Sequence, residues 1–253
     1  MDLRPHKVRY WLNSPDQREN PEEFQRRSGA VCEVYAVASE WHRQGTHVVS
    51  TDEKTGMQAL ERAAPTLPMK PGQIERQEAD YIRHGTQALT ANFEVATGKV
   101  IGPSIADTRN EQDFAEHVAR TVADDPTAPW LFVVDQLNTH MSEALVRWVA
   151  IRCKLEMDLG VKGKHGILES RASRRAFLEE SSHRIRFLYT PRHASWLNQV
   201  EIWFSILARR LLKRGNFTSK EDLRQKVLAF IDYFNKTMAK PFRWTYKGRP
   251  LTV

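Results

Sequence analysis

The run Trp130-Leu131-Phe132-Val133-Val134 is apolar throughout and ends on a charge, Asp135. Such a run fits a strand buried on both faces, and it delivers a carboxylate to the strand's C-terminal end. A carboxylate there is costly unless it is hydrated, paired or bound to a metal. A second extended run, predicted over Thr46–Thr51, leads to Asp52 in the same way. Within it Val48, Ser50 and Asp52 share one face, while Val49, Thr51 and Glu53 share the other. Two such strands side by side bring Asp52 and Asp135 together, where like charges repel. A divalent cation that takes hard oxygen ligands resolves that conflict.

Around these two strands the sequence punctuates itself clearly. Upstream, Asn20 caps a helix with Pro21 at its first position and Glu22 and Glu23 at the positive end of the dipole. Phe24, Val31, Val34, Tyr35, Ala38 and Trp41 recur at helical spacing, and Gly45 ends the element. Before it, Arg4–Leu12 is basic with interleaved aromatics and reads as an arm. Residues 63–80, with Pro65, Pro68, Pro71 and Gly72, read as an irregular excursion. Residues 86–95 and 99–105 form a hairpin around Ala96-Thr97-Gly98. Helices are predicted over 109–123, from about Ser142, near Ser170–Glu180, from near Ser195 and from about Ser219 to Asn235, with a short strand at Ile185–Tyr189. The order gives a mixed α/β arrangement, with helices packed on a central sheet.

The third segment that carries chemistry is Thr190-Pro191-Arg192-His193-Ala194-Ser195-Trp196-Leu197-Asn198-Gln199-Val200-Glu201-Ile202-Trp203-Phe204. Val200, Phe204, Leu207 and Leu211 mark the buried stripe of its helix. Glu201 lies beside that stripe, from where a glutamate reaches the edge of a sheet.

Composition narrows the function classes. The 253 residues carry a net formal charge of +7, unevenly spread. Residues 1–146 hold 15 Lys+Arg against 22 Asp+Glu, and residues 147–253 hold 23 against 9. The second half is therefore suited to a polyanion. No stretch is apolar enough to span a membrane, and no signal pattern opens the chain. Cys32 and Cys153 form no disulfide framework. No close pair of histidines or cysteines has zinc-ligand spacing. The run Gly160-Val161-Lys162-Gly163-Lys164-His165-Gly166 lacks the Gly-Lys-Ser/Thr ending and the preceding strand of a phosphate loop.

Taken together, the three segments resemble the DDE endonuclease domain of bacterial insertion-sequence transposases of the Tc/mariner superfamily. The similarity is strongest in Thr190-Pro191, Ser195-Trp196-Leu197-Asn198, Glu201 and Trp203-Phe204-Ser205. Asp135 with Asn138 and His140 resembles the family's second-carboxylate segment, and Asp52-Glu53 the first. The resemblance implies a ribonuclease-H-like fold, a mixed sheet flanked by helices, preceded here by an arm and a helix. It implies that Asp52, Asp135 and Glu201 are catalytic and bind two Mg2+ ions, for which Mn2+ substitutes. It further implies cleavage at transposon ends followed by 3′-hydroxyl strand transfer. Asn138, His140, His193 and Asn198 are candidates to orient these ligands or touch phosphate. The expected partners are double-stranded DNA, as inverted repeats and as target, and a second copy of the chain in a homodimer on DNA, in the bacterial cytoplasm. Two features depart from the family. Sixty-five residues separate Asp135 from Glu201, more than is usual, so 152–184 is read as a basic insertion. The family's N-terminal helix-turn-helix region is also missing, so that either a separate chain supplies it, or the chain is truncated, or this is a remnant. The organisation expected is an arm and helix over 1–45, a catalytic domain over 46–235 and a basic aromatic tail over 236–253. The alternative is an immobile, non-catalytic DNA-binding remnant. Phe242 and Trp244 of the tail are expected to pack on the body.

Overall fold

A computed structural model describes residues 18–76 and 78–247. The arm expected at Arg4–Leu12 lies outside the described residues. Helix α1 spans Pro21–Arg43, and the Asn20 side chain accepts the Glu23 N–H at its start. Strands β1 (His47–Arg62), β2 (Tyr81–Glu94) and β3 (Val100–Ala106) follow, then α2 (Glu111–Ala123), β4 (Trp130–Val134), α3 (Glu143–Arg152) and α4 (Arg171–Glu179). The chain continues through β5 (Ile185–Tyr189), α5 (Gln199–Leu207) and α6 (Lys220–Thr237).

The five strands make one sheet in the order β3-β2-β1-β4-β5. β1 runs antiparallel to β2, and β2 to β3, while β1, β4 and β5 are parallel. This is the ribonuclease-H-like arrangement that the resemblance implied. Alternation along β1 and β4 builds the two sides of the core. Val49, Phe132 and Val134 face α2 and α3 through Phe114, Val118, Leu145 and Val149. Val48, Leu131 and Val133 face α1 through Phe24, Val31 and Tyr35. Each large side chain buried this way stabilises the fold by roughly 1.5–3 kcal/mol before entropy is counted.

The structure corrects the reading in three places. β1 does not stop at Thr51 but runs to Arg62, so Asp52 sits within a strand and not at its end. Its parallel partner is lost after Ser50↔Val133, yet β2 goes on pairing with it as far as Arg62↔Tyr81. The supposed excursion over 63–80 continues the same ribbon, with bridges Leu67↔Arg76 and Lys70↔Gln73. The long helix expected from Ser195 is broken. A 3-10 turn at Ser195–Leu197 gives way to an extended Asn198 (φ −84°, ψ 110°), and α5 begins only after it. A π turn over Ala208–Leu212 closes the segment.

The stretch 152–184 is tied to the body. Leu168, Phe177 and Leu178 join the core on the α2–α3 side, with Leu155, Leu159 and Ile167 packed against them. The tail crosses the opposite side in extended form, where Phe242 stacks on Phe93 at 4.5 Å and Trp244 meets Tyr35 edge-on at 5.1 Å. Gly98 makes that crossing possible. It adopts φ +72°, and a Cβ there would lie 2.0 Å from the Lys240 carbonyl oxygen.

Candidate active site

Asp135 follows β4 directly, at the C-terminal end of the parallel pair. Its Oδ1 accepts the Leu137 N–H at 2.9 Å, an Asx turn that carries the chain into a 3-10 turn over Asn138–Met141. That turn brings His140 back, with its Nδ1 2.8 Å from Asp135 Oδ1. The ring is fully buried against Phe114, and its Nε2 lies 3.8 Å from Glu53 Oε1. Burial works against charging His140, but its hydrogen bond to Asp135 and the nearby carboxylates of Glu53 and Asp52 outweigh it and raise the imidazole to about 9. Asp135 shows the converse. Burial favours its neutral form, and the hydrogen bond and charge of His140 overcome that, holding the carboxyl below its ordinary range.

Asp52 is nine-tenths buried on the other strand. It accepts the Glu53 N–H at 2.8 Å and the Asn198 side-chain N–H at 3.2 Å. Asn198 also donates to the Thr51 carbonyl at 2.9 Å and accepts from the Ser50 hydroxyl, which in turn accepts the Val200 N–H at 2.9 Å. Asn198 thus fastens the start of α5 across β1, and the extended backbone that breaks the predicted helix is what allows it. Burial, then the nearby charge of Asp135, pushes Asp52 up to about 7, with Glu201 adding to the rise.

Glu201 lies in the first turn of α5, half-buried. Burial raises it, Lys54 opposes, and Asp135 adds to the rise. The three carboxylates are therefore near enough to feel one another's charge at one end of the β1–β4 pair. Their oxygens do not form a closed set within 4.8 Å, because Asp135 is turned to His140 and Asp52 to Asn198.

The remaining expected residues fall around this centre. Asn138 does not face the acids; its side chain accepts a hydrogen bond from Arg171 at 2.7 Å. His193 is exposed, with φ +53°, on the loop after β5. With Arg171, Arg192, Ser195 and Asp135 it lines a cleft of about 420 Å³. Sequence reasoning missed Glu53 and Ser50. Alternation had set Glu53 on the far face, where the structure indeed puts it, but His140 and Arg109 approach it there, and its side chain is 3% exposed. The polarity of Ser50 inside an apolar run was the one available signal for its role.

A model of the DDE superfamily endonucleases matches residues 47–224, most of the chain and all three acidic positions. The chain belongs to this superfamily. Among solved structures, the DDE chain is similar in fold to a Mos1 transposase paired-end complex with left transposon end, with TM-score 0.51 and 16% identity over 89% of this chain and 58% of that one. It is similarly close to a Mos1 mariner paired-end complex with Mn, with TM-score 0.51 and 15% identity over 92% and 60%. A pre-cleavage Mos1 transpososome gives TM-score 0.51 and 15% identity over 89% and 59%. The DDE chain thus spans about three fifths of the solved chains it matches. No curated protein matches it in sequence. Among the described residues, no helix is long and apolar enough to cross a membrane.

Proposed function

We propose that this chain is the catalytic domain of a cut-and-paste transposase of the Tc/mariner kind, from a bacterial insertion sequence. The observation that carries the reading is the placement of Asp52, Asp135 and Glu201 by three separate elements at one end of the sheet, with Asp52 pushed up to about 7. Buried carboxylates of which two, Asp52 and Glu201, have their proton affinity raised by the charge of the third are a poor arrangement for structure alone and a suitable one for holding cations. The donors are all hard oxygens, which fits magnesium or manganese. Asp52, Asp135 and Glu201 would hold those ions, which when bound stabilise charge at a phosphodiester and activate a water or a 3′-hydroxyl as nucleophile.

The chain's own residues set that chemistry up. Asn198 and the Glu53 N–H aim the two oxygens of Asp52. His140, positively charged at neutral pH, keeps Asp135 ionised. Arg171 and His193 line the adjoining cleft, where donors suit the phosphate backbone of duplex DNA. The catalytic unit is assigned to 46–235, with 152–184 as a basic insertion, and the working form to a homodimer on transposon ends. Reading of the inverted repeats is assigned to a helix-turn-helix element outside these residues.

Asp135→Asn tests the reading. It keeps the shape of the side chain and removes the charge that pairs with buried His140, so the thermal midpoint should fall while circular dichroism at the assay temperature stays that of the folded chain and magnesium-dependent cleavage of duplex DNA is lost. Cleavage by the variant at the wild-type rate would sink the proposal.

A further inference from the structure

At the opposite end of β1 the fold gathers a second set of donor atoms. His42 comes from the last turn of α1, His47 from the first residue of β1 and Glu94 from the last residue of β2. One donor atom from each lies within 4.8 Å of the other two. The Nδ1 of His47 is 2.7 Å from Glu94 Oε1, and the Nδ1 of His42 is 3.6 Å from the same oxygen. Asp52 lies five strand positions beyond His47, roughly 17 Å at the usual strand rise. The cluster is therefore distinct from the acidic centre.

We propose that His42, His47 and Glu94 bind a zinc ion. Two imidazole nitrogens and one carboxylate oxygen suit zinc, whose open sites use three protein ligands and a water. Magnesium, which demands an oxygen octahedron, is poorly served by the same set. The ligands are also held as a metal site requires. Thr97 donates to Glu94 Oε2 at 2.6 Å, leaving Oε1 for the ion. His47 lies flat on Trp130, with ring centroids 4.1 Å apart and planes at 16°, which fixes its orientation. Its Nε2 lies 3.5 Å from Asp125 Oδ2. To ligate, His47 must offer the Nδ1 lone pair and carry its proton on Nε2, where Asp125 is placed to accept it. Donor atoms around a tetrahedral zinc stand about 3.3 Å apart. To reach that spacing His47 and Glu94 would part by about 0.6 Å and His42 and Glu94 would close by about 0.3 Å, while the two imidazole donors lie within 4.8 Å of each other. Glu94 is 4% exposed, and a buried carboxylate of this kind is paired or bound to a metal. The sequence reading that no close histidine pair has zinc spacing is corrected here: four residues lie between His42 and His47, within that spacing, and only the third ligand, from the neighbouring strand, was beyond the reach of a local pattern. The ion joins the end of α1 to the two strands beneath it and keeps one position open to water.

The test uses the full chain, stripped with a chelator and titrated calorimetrically with zinc chloride in excess magnesium, which occupies the acidic centre. Wild type and Asp135→Asn should each take up one zinc, with a rise in thermal midpoint. His42→Ala should bind at least ten-fold more weakly, and so should Glu94→Gln. The His42 side chain is 36% exposed, so its removal should leave the metal-free circular dichroism spectrum unchanged. Cobalt in place of zinc should give visible absorption bands in wild type that His42→Ala loses. Absence of zinc uptake in excess magnesium overturns the proposal. So does uptake that survives His42→Ala but disappears in Asp135→Asn, which would place the ion at the acidic centre.

Discussion

Asn198 shows what can and cannot be read at the scale of one residue. The sequence places it in a motif beside Glu201, yet the apolar stripe running through it predicts a helix from Ser195. The structure instead extends its backbone, so that one amide serves Ser50, Thr51 and Asp52 at once. A local pattern carries no trace of that cross-chain demand, since the three partners lie almost 150 residues away. Asn198→Ala should lower cleavage by about 10–100-fold, as loss of a ligand-orienting group does. It should also cost about 1–3 kcal/mol in a urea titration, because buried partners are left unpaired. Full activity in a stably folded variant would remove Asn198 from the working site. A different residue sets the response to acid. His117 is fully buried with Ser104 Oγ 2.7 Å from its Nδ1, and burial, then the charges of Arg120 and His140, lower it to about 3. Its folded pKa lies below the unfolded value of about 6.5, so the unfolded chain binds the extra proton. Its stabilising contribution is therefore complete above that value and erodes as pH falls toward 3, by roughly 1.4 kcal/mol per pH unit. His117→Gln should lose less stability than wild type between pH 6.5 and 5. Equal losses in denaturant titrations at the two pH values would contradict this.

Among the elements, those with a strong apolar signal were legible and those without one were not. β4 and β5 fall where the sequence puts them, because five buried residues in a row, or clean alternation, leave little choice. The distal half of β1 was invisible. Residues 53–62 mix charges, Gly56 and short side chains, and only pairing with β2 makes them a strand. The tail was legible as a packed segment, since its aromatics alternate. Phe242, Trp244 and Tyr246 are partly buried while their neighbours are exposed. That packing depends on Gly98, where a side chain would both strain φ +72° and strike the Lys240 backbone. Gly98→Ala should cost more than about 1 kcal/mol and should lift the tail. Trypsin should then cut after Arg243 faster than in wild type, before the body is digested. An unchanged cutting rate would show that the tail tolerates the contact.

For the molecule as a whole, charge speaks most directly. The excess of basic residues after position 146 includes Arg171, set at the rim of the cleft beside Asp135. Such contacts hold phosphates and carry no sequence information. The isolated chain should therefore bind duplex DNA weakly, with affinity falling steeply between 50 and 200 mM salt, a drop on the order of 10³-fold for about six phosphate contacts. An inverted-repeat duplex and a scrambled one should titrate alike. A strong, salt-insensitive preference for the repeat would show that these residues contain their own reader.

The strand order has a consequence for how the chain is made. β4 is flanked by β1, synthesised long before it, and by β5, which begins 51 residues after Val134. During synthesis at roughly 5–20 residues per second, the outer edge of Trp130–Val134 stays without its neighbour for about 3–10 seconds. It is an all-apolar edge, of the kind that recruits other chains. A ribosome that stalls between α3 and β5 thus releases a product poised to aggregate, whereas one that passes Tyr189 releases a sheet whose central strands are all paired.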